Sequence, residues 1–186
     1  MKNEIKNIVK ILKEGKLILC PTDTIWGISC DFRNEKAIEK IYRIKKRSNK
    51  KSMIILTDNI NKISPYIKNI PKSALNLINS VNYPLTIIYE DIFGLPKNLI
   101  NEDGSLAIRV TREKFTKLLI NEFKNPIVST SANISNEKTP KNFYEINSEI
   151  IKAVNYVVSY GQNNKKLSKA SSIVKLYGEN KIKIIR

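Results

Sequence analysis

The sequence predicts an α/β domain on a central, mixed β-sheet. Short runs rich in β-branched residues alternate with helical patterns along the whole chain, the order expected of strands packed beneath crossing helices. Neither an internal repeat nor a Pro/Gly-rich linker interrupts that alternation, and 186 residues are enough to bury one full core. The chain therefore reads as one domain, 1–186. Ligands are expected at the carboxyl ends of strands, where side chains and free backbone amides meet in a crevice.

Taken in order, a helix is expected near 3–14, followed by two strands in the apolar runs LILC (17–20) and IWGISC (25–30). The next helix, near 35–46, sets Ile38, Ile41 and Tyr42 on one face. MIILT (53–57) reads as a strand, and helical stretches near 60–69 and 72–81 lead to the strand LTIIYE (85–90). LAIRV (106–110) is the next strand, before a helix near 112–123 and the strand PIVST (126–130). A helix near 142–152 precedes the strands NYVVSY, SSIVKLY and KIKII.

Composition limits the function. The net charge of +16 suggests an anionic partner. Lysines are nevertheless spread from end to end in a chain rich in Ile and Asn, so local placement carries more weight than the total. No apolar run approaches membrane-spanning length, and MKNEIKNIVK lacks the apolar core of a secretory signal, so a cytoplasmic protein with no membrane partner is expected. Histidine is absent, which rules out a Cys/His zinc site and leaves Cys20 and Cys30 without the usual catalytic base; both read as buried free thiols. There is no Walker A loop, no G-x-G-x-x-G and no paired acidic motif that reads as a metal cage. A nucleotide would have to be held by Lys, Arg, Ser, Thr and backbone donors.

Several polar residues stand out against their apolar surroundings. In PTDTIWG (21–27) the hydroxyls and Asp23 either close their own turn or turn Thr22 and Thr24 toward a ligand walled by Trp26. RIKKRSNKK (43–51) carries six positive charges in nine positions. Within it Lys45 continues the Ile38/Ile41/Tyr42 stripe, so it either snorkels out or points at an anion. Arg47 can act alongside Lys45 only if the helix ends near residue 46, with Ser48 and Asn49 as terminators. Arg109 lies inside an apolar strand and must either pair with an acid such as Asp103 or grip a substrate carboxylate. Ser131 and Asn133, at the exit of PIVST, are either a polar cap or donors to phosphate oxygens. Ser171 and Ser172 open a strand and alone read as a turn.

Together these pieces resemble the YrdC/TsaC family of threonylcarbamoyl-AMP synthases. PTDTIWGISCD is similar to that family's P-T-E/D-T-x-Y/W-G-L motif and KKR to its K-x-R motif. YPLT, LAIRV, STSANIS…TP, ASSIV and the terminal arginine follow in the family's order from about residue 5 to 186. The resemblance implies a single-domain twisted mixed sheet with flanking helices around a basic central cavity. It also implies the joining of L-threonine, bicarbonate and ATP into threonylcarbamoyl-adenylate and pyrophosphate, with Mg²⁺ arriving on the ATP. A tRNA threonylcarbamoyl-transfer complex would be the partner.

Carried over by position, Lys45 and Arg47 are the catalytic pair. Arg47, Lys51, Ser105, Ser131, Asn133, Thr139 and Arg186 fall at ATP contacts, and Thr24, Arg109 and Ser171 at threonine contacts; no protein metal site is implied. The sequence departs from the pattern at Ser48, Ser52, Leu56, Asn82 and Thr130. Two alternatives stand beside this reading. A non-catalytic, double-stranded RNA-binding module would use the charge for phosphate affinity, although the basic stretch holds no stacking residue; weak RNA binding is also compatible with the enzyme. The related domains of hydrogenase maturation proteins serve another acceptor but belong to much larger chains.

Overall fold

Helical periodicity and strand alternation sort the residues onto the two sides of one sheet. The structure is a computed structural model that describes residues 1–47, 53–164, 170–177 and 181–186. Helix α1 (Lys2–Lys13) buries Ile5, Ile8, Val9 and Leu12, and α2 (Glu35–Ile44) buries Ala37, Ile38, Ile41 and Tyr42. Both sets recur at the three-to-four-residue spacing of a single helix face. Asn34 caps α2 by accepting a hydrogen bond from the Ala37 amide at 2.9 Å. The remaining helices are α3 (Lys72–Ser80), α4 (Lys114–Phe123) and α5 (Ser148–Ala153).

The strands are β1 (Ile18–Cys20), β2 (Gly27–Asp31), β3 (Ile54–Thr57), β4 (Leu85–Tyr89), β5 (Leu106–Val110), β6 (Ile127–Ser131), β7 (Tyr156–Val157), β8 (Ser172–Tyr177) and β9 (Lys181–Ile184). Among the described residues they form one sheet in the order β7-β1-β2-β6-β3-β5-β4-β8-β9. Its pairings are mixed: β1–β7, β3–β5 and β4–β8 are parallel, the others antiparallel. The α/β class and the mixed sheet expected from the sequence are therefore what the chain forms.

Register shows what the alternation is for. Partners across β2, β6, β3, β5, β4 and β8 put Ile28, Val128, Ile55, Ile108, Ile87 and Val174 on one face, all buried. Gly27, Ser129, Ser131, Ile54, Arg109, Thr86 and Ile173 lie on the other. Successive side chains on a strand point to opposite faces, so one sheet serves both a core and a polar surface.

Three expectations need correcting. The stretch 60–69 is not a helix but two 3₁₀ turns, Ile60–Lys62 and Ser64–Tyr66. Pro65 supplies no amide there, and the Asn59 side chain accepts from Asn61 N instead. The helix near 142–152 is likewise split. Asn142 caps a 3₁₀ turn at Phe143–Glu145, and Asn147 caps the separate helix α5. Finally, α4 begins at Lys114 rather than 112, because the Glu113 carboxylate accepts from Phe115 N at 3.0 Å and Thr116 N at 2.6 Å.

Candidate functional site

A cleft of about 370 Å³ opens on the polar face of the sheet. Its floor is β2, β6, β3, β5, β4 and β8, through Gly27, Ser129, Ser131, Ile54, Arg109, Thr86 and Ile173. The site was expected at strand carboxyl ends. In this mixed sheet the carboxyl ends of β1 and β6 meet the amino ends of β2 and β3, while the amino ends of β4 and β8 lie beside the carboxyl end of β5 at the other edge, so the cleft spreads across the face. Gly27 permits the close approach: a Cβ there would stand 2.4 Å from Ser129 Oγ and 3.3 Å from the Thr130 carbonyl.

One wall is the turn between β1 and β2. Thr22 Oγ1 accepts from Thr24 N at 3.1 Å and donates to the Ile25 carbonyl at 2.7 Å, so a hydroxyl closes this turn. Thr22, Thr24 and Trp26 nevertheless all line the cleft. The turn reading of PTDT thus holds for the Thr22 hydroxyl and not for Asp23, whose carboxylate reaches Arg109 and the Arg112 amide. Trp26 is backed by Phe143, ring centroids 4.9 Å apart.

Arg109 rises from the floor beside that wall and is 3% exposed. One terminal nitrogen donates to Thr24 Oγ1 at 3.2 Å. Its acid partner is Asp23, not Asp103: Arg109 Nε stands 3.0 Å from Asp23 Oδ1. This is an ion pair and not an aligned hydrogen bond, since neither atom completes one. Asp103 lies elsewhere, held down to about 2 by the Ser105 hydroxyl and by Lys175. Burial lowers the Arg109 pKa, Asp23 opposes that shift and Arg186 adds to it.

The opposite side is built by the end of α2. The helix closes in a Schellman arrangement in which Arg47 N bonds Tyr42 O and Lys46 N bonds Arg43 O, each at 3.0 Å, with Lys46 left-handed at φ 48°. The reversal sends Lys45 and Arg47 to different tasks. Lys45, 1% exposed, points Nζ at the carbonyl oxygens of Ser131 (2.5 Å) and Asn133 (2.6 Å). Burial, reinforced by Arg47, brings its pKa down to about 8. Arg47 reaches the cleft and donates to Thr130 Oγ1 at 3.2 Å.

Of the residues singled out from the sequence, the cleft gathers Thr24, Arg47, Arg109, Ser131, Thr139, Ser171 and Arg186. Three are placed otherwise. Lys45 lies beneath the floor of the 131–133 turn. The Asn133 amide donates within that loop, to Ile134 O at 3.0 Å and Glu137 O at 2.8 Å. Ser105 is 2% exposed and closes the 101–105 turn, its Oγ donating to Asp103 Oδ1 at 2.5 Å. Lys51, Ser48, Asn49 and Ser52 lie outside the described residues. Leu56, one of the departures from the family pattern, is fully buried and pairs across strands with Arg109.

The cleft also includes residues that sequence reasoning missed. Thr86 is fully buried, and its Oγ1 is 2.8 Å from Ser171 Oγ. Its position inside YPLT was a signal, but only strand pairing shows that it meets Ser171. Lys141 lines the cleft and is exposed; nothing in its neighbourhood along the chain marks it. Three arginines and a set of hydroxyls thus face one space, a surface suited to anions. Among the described residues no three His, Cys, Asp or Glu side chains group as a metal site, and no helix is long and apolar enough to cross a membrane.

Known proteins share this chain's sequence pattern and fold. The Sua5/YciO/YrdC family model, described as "Telomere recombination", matches residues 10–186. A threonylcarbamoyl-AMP synthase of Pseudoalteromonas translucida is 31% identical over 153 residues, covering 81% of this chain and 82% of the relative. A putative threonylcarbamoyl-AMP synthase of Methanocaldococcus jannaschii is 34% identical over 165 residues, covering 86% and 76%. The crystal structure of P. abyssi Sua5 complexed with L-threonine superposes with a TM-score of 0.87 at 23% identity, over 98% of this chain. The chain spans about half, 53%, of that longer protein. With its sequence matched by the family model almost from end to end and its fold shared with Sua5, the chain belongs to the Sua5/YciO/YrdC family.

Proposed function

We propose that the chain is a threonylcarbamoyl-AMP synthase that joins L-threonine, bicarbonate and ATP. The observation that carries the reading is the cleft, where Arg47, Arg109 and Arg186 converge with Thr24, Ser131, Thr139 and Ser171 from distant parts of the chain. Threonine lies at the Arg109 end, its carboxylate on the guanidinium and Thr24 and Ser171 nearby. ATP lies toward Arg47, Ser131, Thr139 and Arg186.

The chemistry requires such a surface. The threonine amine and bicarbonate condense to a carbamate with loss of water. A carbamate oxygen then bonds to the α-phosphorus as the bond to the pyrophosphate oxygen breaks. Both partners are anions, so the barrier is largely charge repulsion, and fixed cations and hydroxyl donors lower it by positioning and electrostatic stabilisation. No protein nucleophile is needed, which suits a chain without histidine.

The cleft's side-chain oxygens are neutral hydroxyls and its neighbouring carboxylate, Asp23, is engaged with Arg109. This donor set fits Mg²⁺ carried on the triphosphate and hydrated, not Mg²⁺ in a protein cage. The ion supplies further neutralisation of phosphate charge. The adenylate would pass to a tRNA threonylcarbamoyl-transfer complex in the cytoplasm.

The test is incubation with threonine, bicarbonate and Mg-ATP, following pyrophosphate while each substrate is omitted in turn. Release that requires all three is expected. Release indifferent to threonine sinks the reading, and tight, salt-sensitive RNA binding without turnover would put a binding module in its place.

A further inference from the structure

We propose that Asp23 is a positioning residue that orients Arg109 and thereby sets the affinity for the amino-acid substrate. The inference rests on the reading above, since it takes Arg109 as the group that meets the substrate carboxylate.

An aspartate in a polar turn normally closes its own backbone. Here the Thr22 hydroxyl closes the turn, through Thr24 N and the Ile25 carbonyl. The Asp23 carboxylate is left to cross the gap to β5. Oδ1 stands 3.0 Å from Arg109 Nε, with side-chain exposures of 8% for the aspartate and 4% for the arginine. Oδ2 accepts from the Arg112 amide at 3.4 Å, which ties the carboxylate to the segment following β5.

The geometry has a functional consequence. Arg109 Nη2 is drawn to Thr24 Oγ1 at 3.2 Å and lies 3.5 Å from Thr22 Oγ1. Charge on the Nε side and hydroxyls on the Nη2 side define the plane of the guanidinium. The Asp23–Arg109 contact does not consume Nε as an aligned donor, so the acid holds the arginine without occupying its fork. A carboxylic substrate then meets a guanidinium already oriented, and less of its binding free energy is lost to ordering that side chain. Removing the acid would leave a nearly buried cation without its countercharge, free to turn toward other acceptors.

The experiment compares full-length wild type with Asp23→Asn, measuring KM for threonine and for ATP by pyrophosphate release and threonine affinity by calorimetry. The expected result is a rise of more than about fivefold in the threonine KM and Kd, with the ATP KM held within about twofold. A smaller rise, or one shared equally by ATP as general loosening would produce, overturns the proposal. Should Asp23→Asn fail to fold, Asp23→Ser, which removes the charge and admits water, is read by the same two outcomes. Wild-type protein that releases no threonine-dependent pyrophosphate would instead sink the synthase reading, while calorimetry with threonine alone would still judge the role of Asp23.

Discussion

Lys45 Nζ lies 2.5 Å from the carbonyl oxygen of Ser131, a residue 86 positions further along the chain. A buried ammonium from the end of α2 thus holds the exit of β6 from below, while Arg47, two residues on, faces the cleft. Lys45→Met keeps the bulk and removes the donor, leaving the Ser131 and Asn133 carbonyls short of a partner. Unfolding in urea is expected to show a loss on the order of 2 kcal/mol, and pyrophosphate release is expected to fall as the 131–133 turn loosens. Unchanged stability would show that the carbonyls do not depend on this contact.

The same residue gives a pH signature. Its folded pKa is lowered to about 8 from 10.5, by burial first and then by Arg47. Between those values the unfolded chain binds a proton that the folded chain has released. This group's contribution to stability is therefore complete above 10.5 and is lost as pH falls toward 8. The difference in unfolding free energy between wild type and Lys45→Met should grow in favour of wild type across that window. A difference flat with pH would place the folded pKa near its ordinary value.

Lys46 occupies a left-handed position, φ 48°, at the end of α2, where a side chain is strained and glycine is not. Lys46→Gly is expected to raise stability by about 1 kcal/mol, a net of relieved strain against the greater freedom of the unfolded glycine. The measurement is Tm by calorimetry, and a lower Tm would contradict the assignment of this turn.

Arg47→Ala removes a cleft cation held by Thr130 Oγ1 at 3.2 Å. Loss of one charge-stabilising donor costs roughly 3–4 kcal/mol in the transition state, so the rate should fall by about 10²–10³. Wild-type turnover by the purified variant would exclude Arg47 from the chemistry.

Cys20 and Cys30 are fully buried, and burial pushes the Cys20 thiol up to about 12 and raises Cys30 as well. Neither should react with a thiol reagent at pH 8 in native protein, and both should react in denaturant. Rapid native labelling of either would show that the β1–β2 region opens.

Particular residues show how far the sequence could be read. The Ile38/Ile41/Tyr42 stripe located α2, and Lys45 continues it, but instead of snorkelling out to solvent its buried Nζ donates to the Ser131 and Asn133 carbonyls. The strands bearing Arg109 and Ser131 were legible from their β-branched runs. Helix ends were not, because side-chain caps at Glu113, Asn142 and Asn147 decide where each turn begins, and competing polar residues lie within one or two positions. Arg109 needed an acid, but Asp103, near in sequence, turned out to serve Ser105 and Lys175, while the distant Asp23 serves Arg109.

By itself the sequence determined the α/β class, the order of most elements, the absence of histidine chemistry and the segments that bring charge and hydroxyls to a site. These follow from local periodicity, from composition and from short motifs whose residues are neighbours on the chain. Only the tertiary structure decided which face of the sheet is polar, that the cleft spreads over that face, that Thr86 meets Ser171, and that Lys45 grips carbonyls while Arg47 faces the cavity. Those relations depend on strand order and register, which join residues tens of positions apart and are set by the packing of the whole sheet.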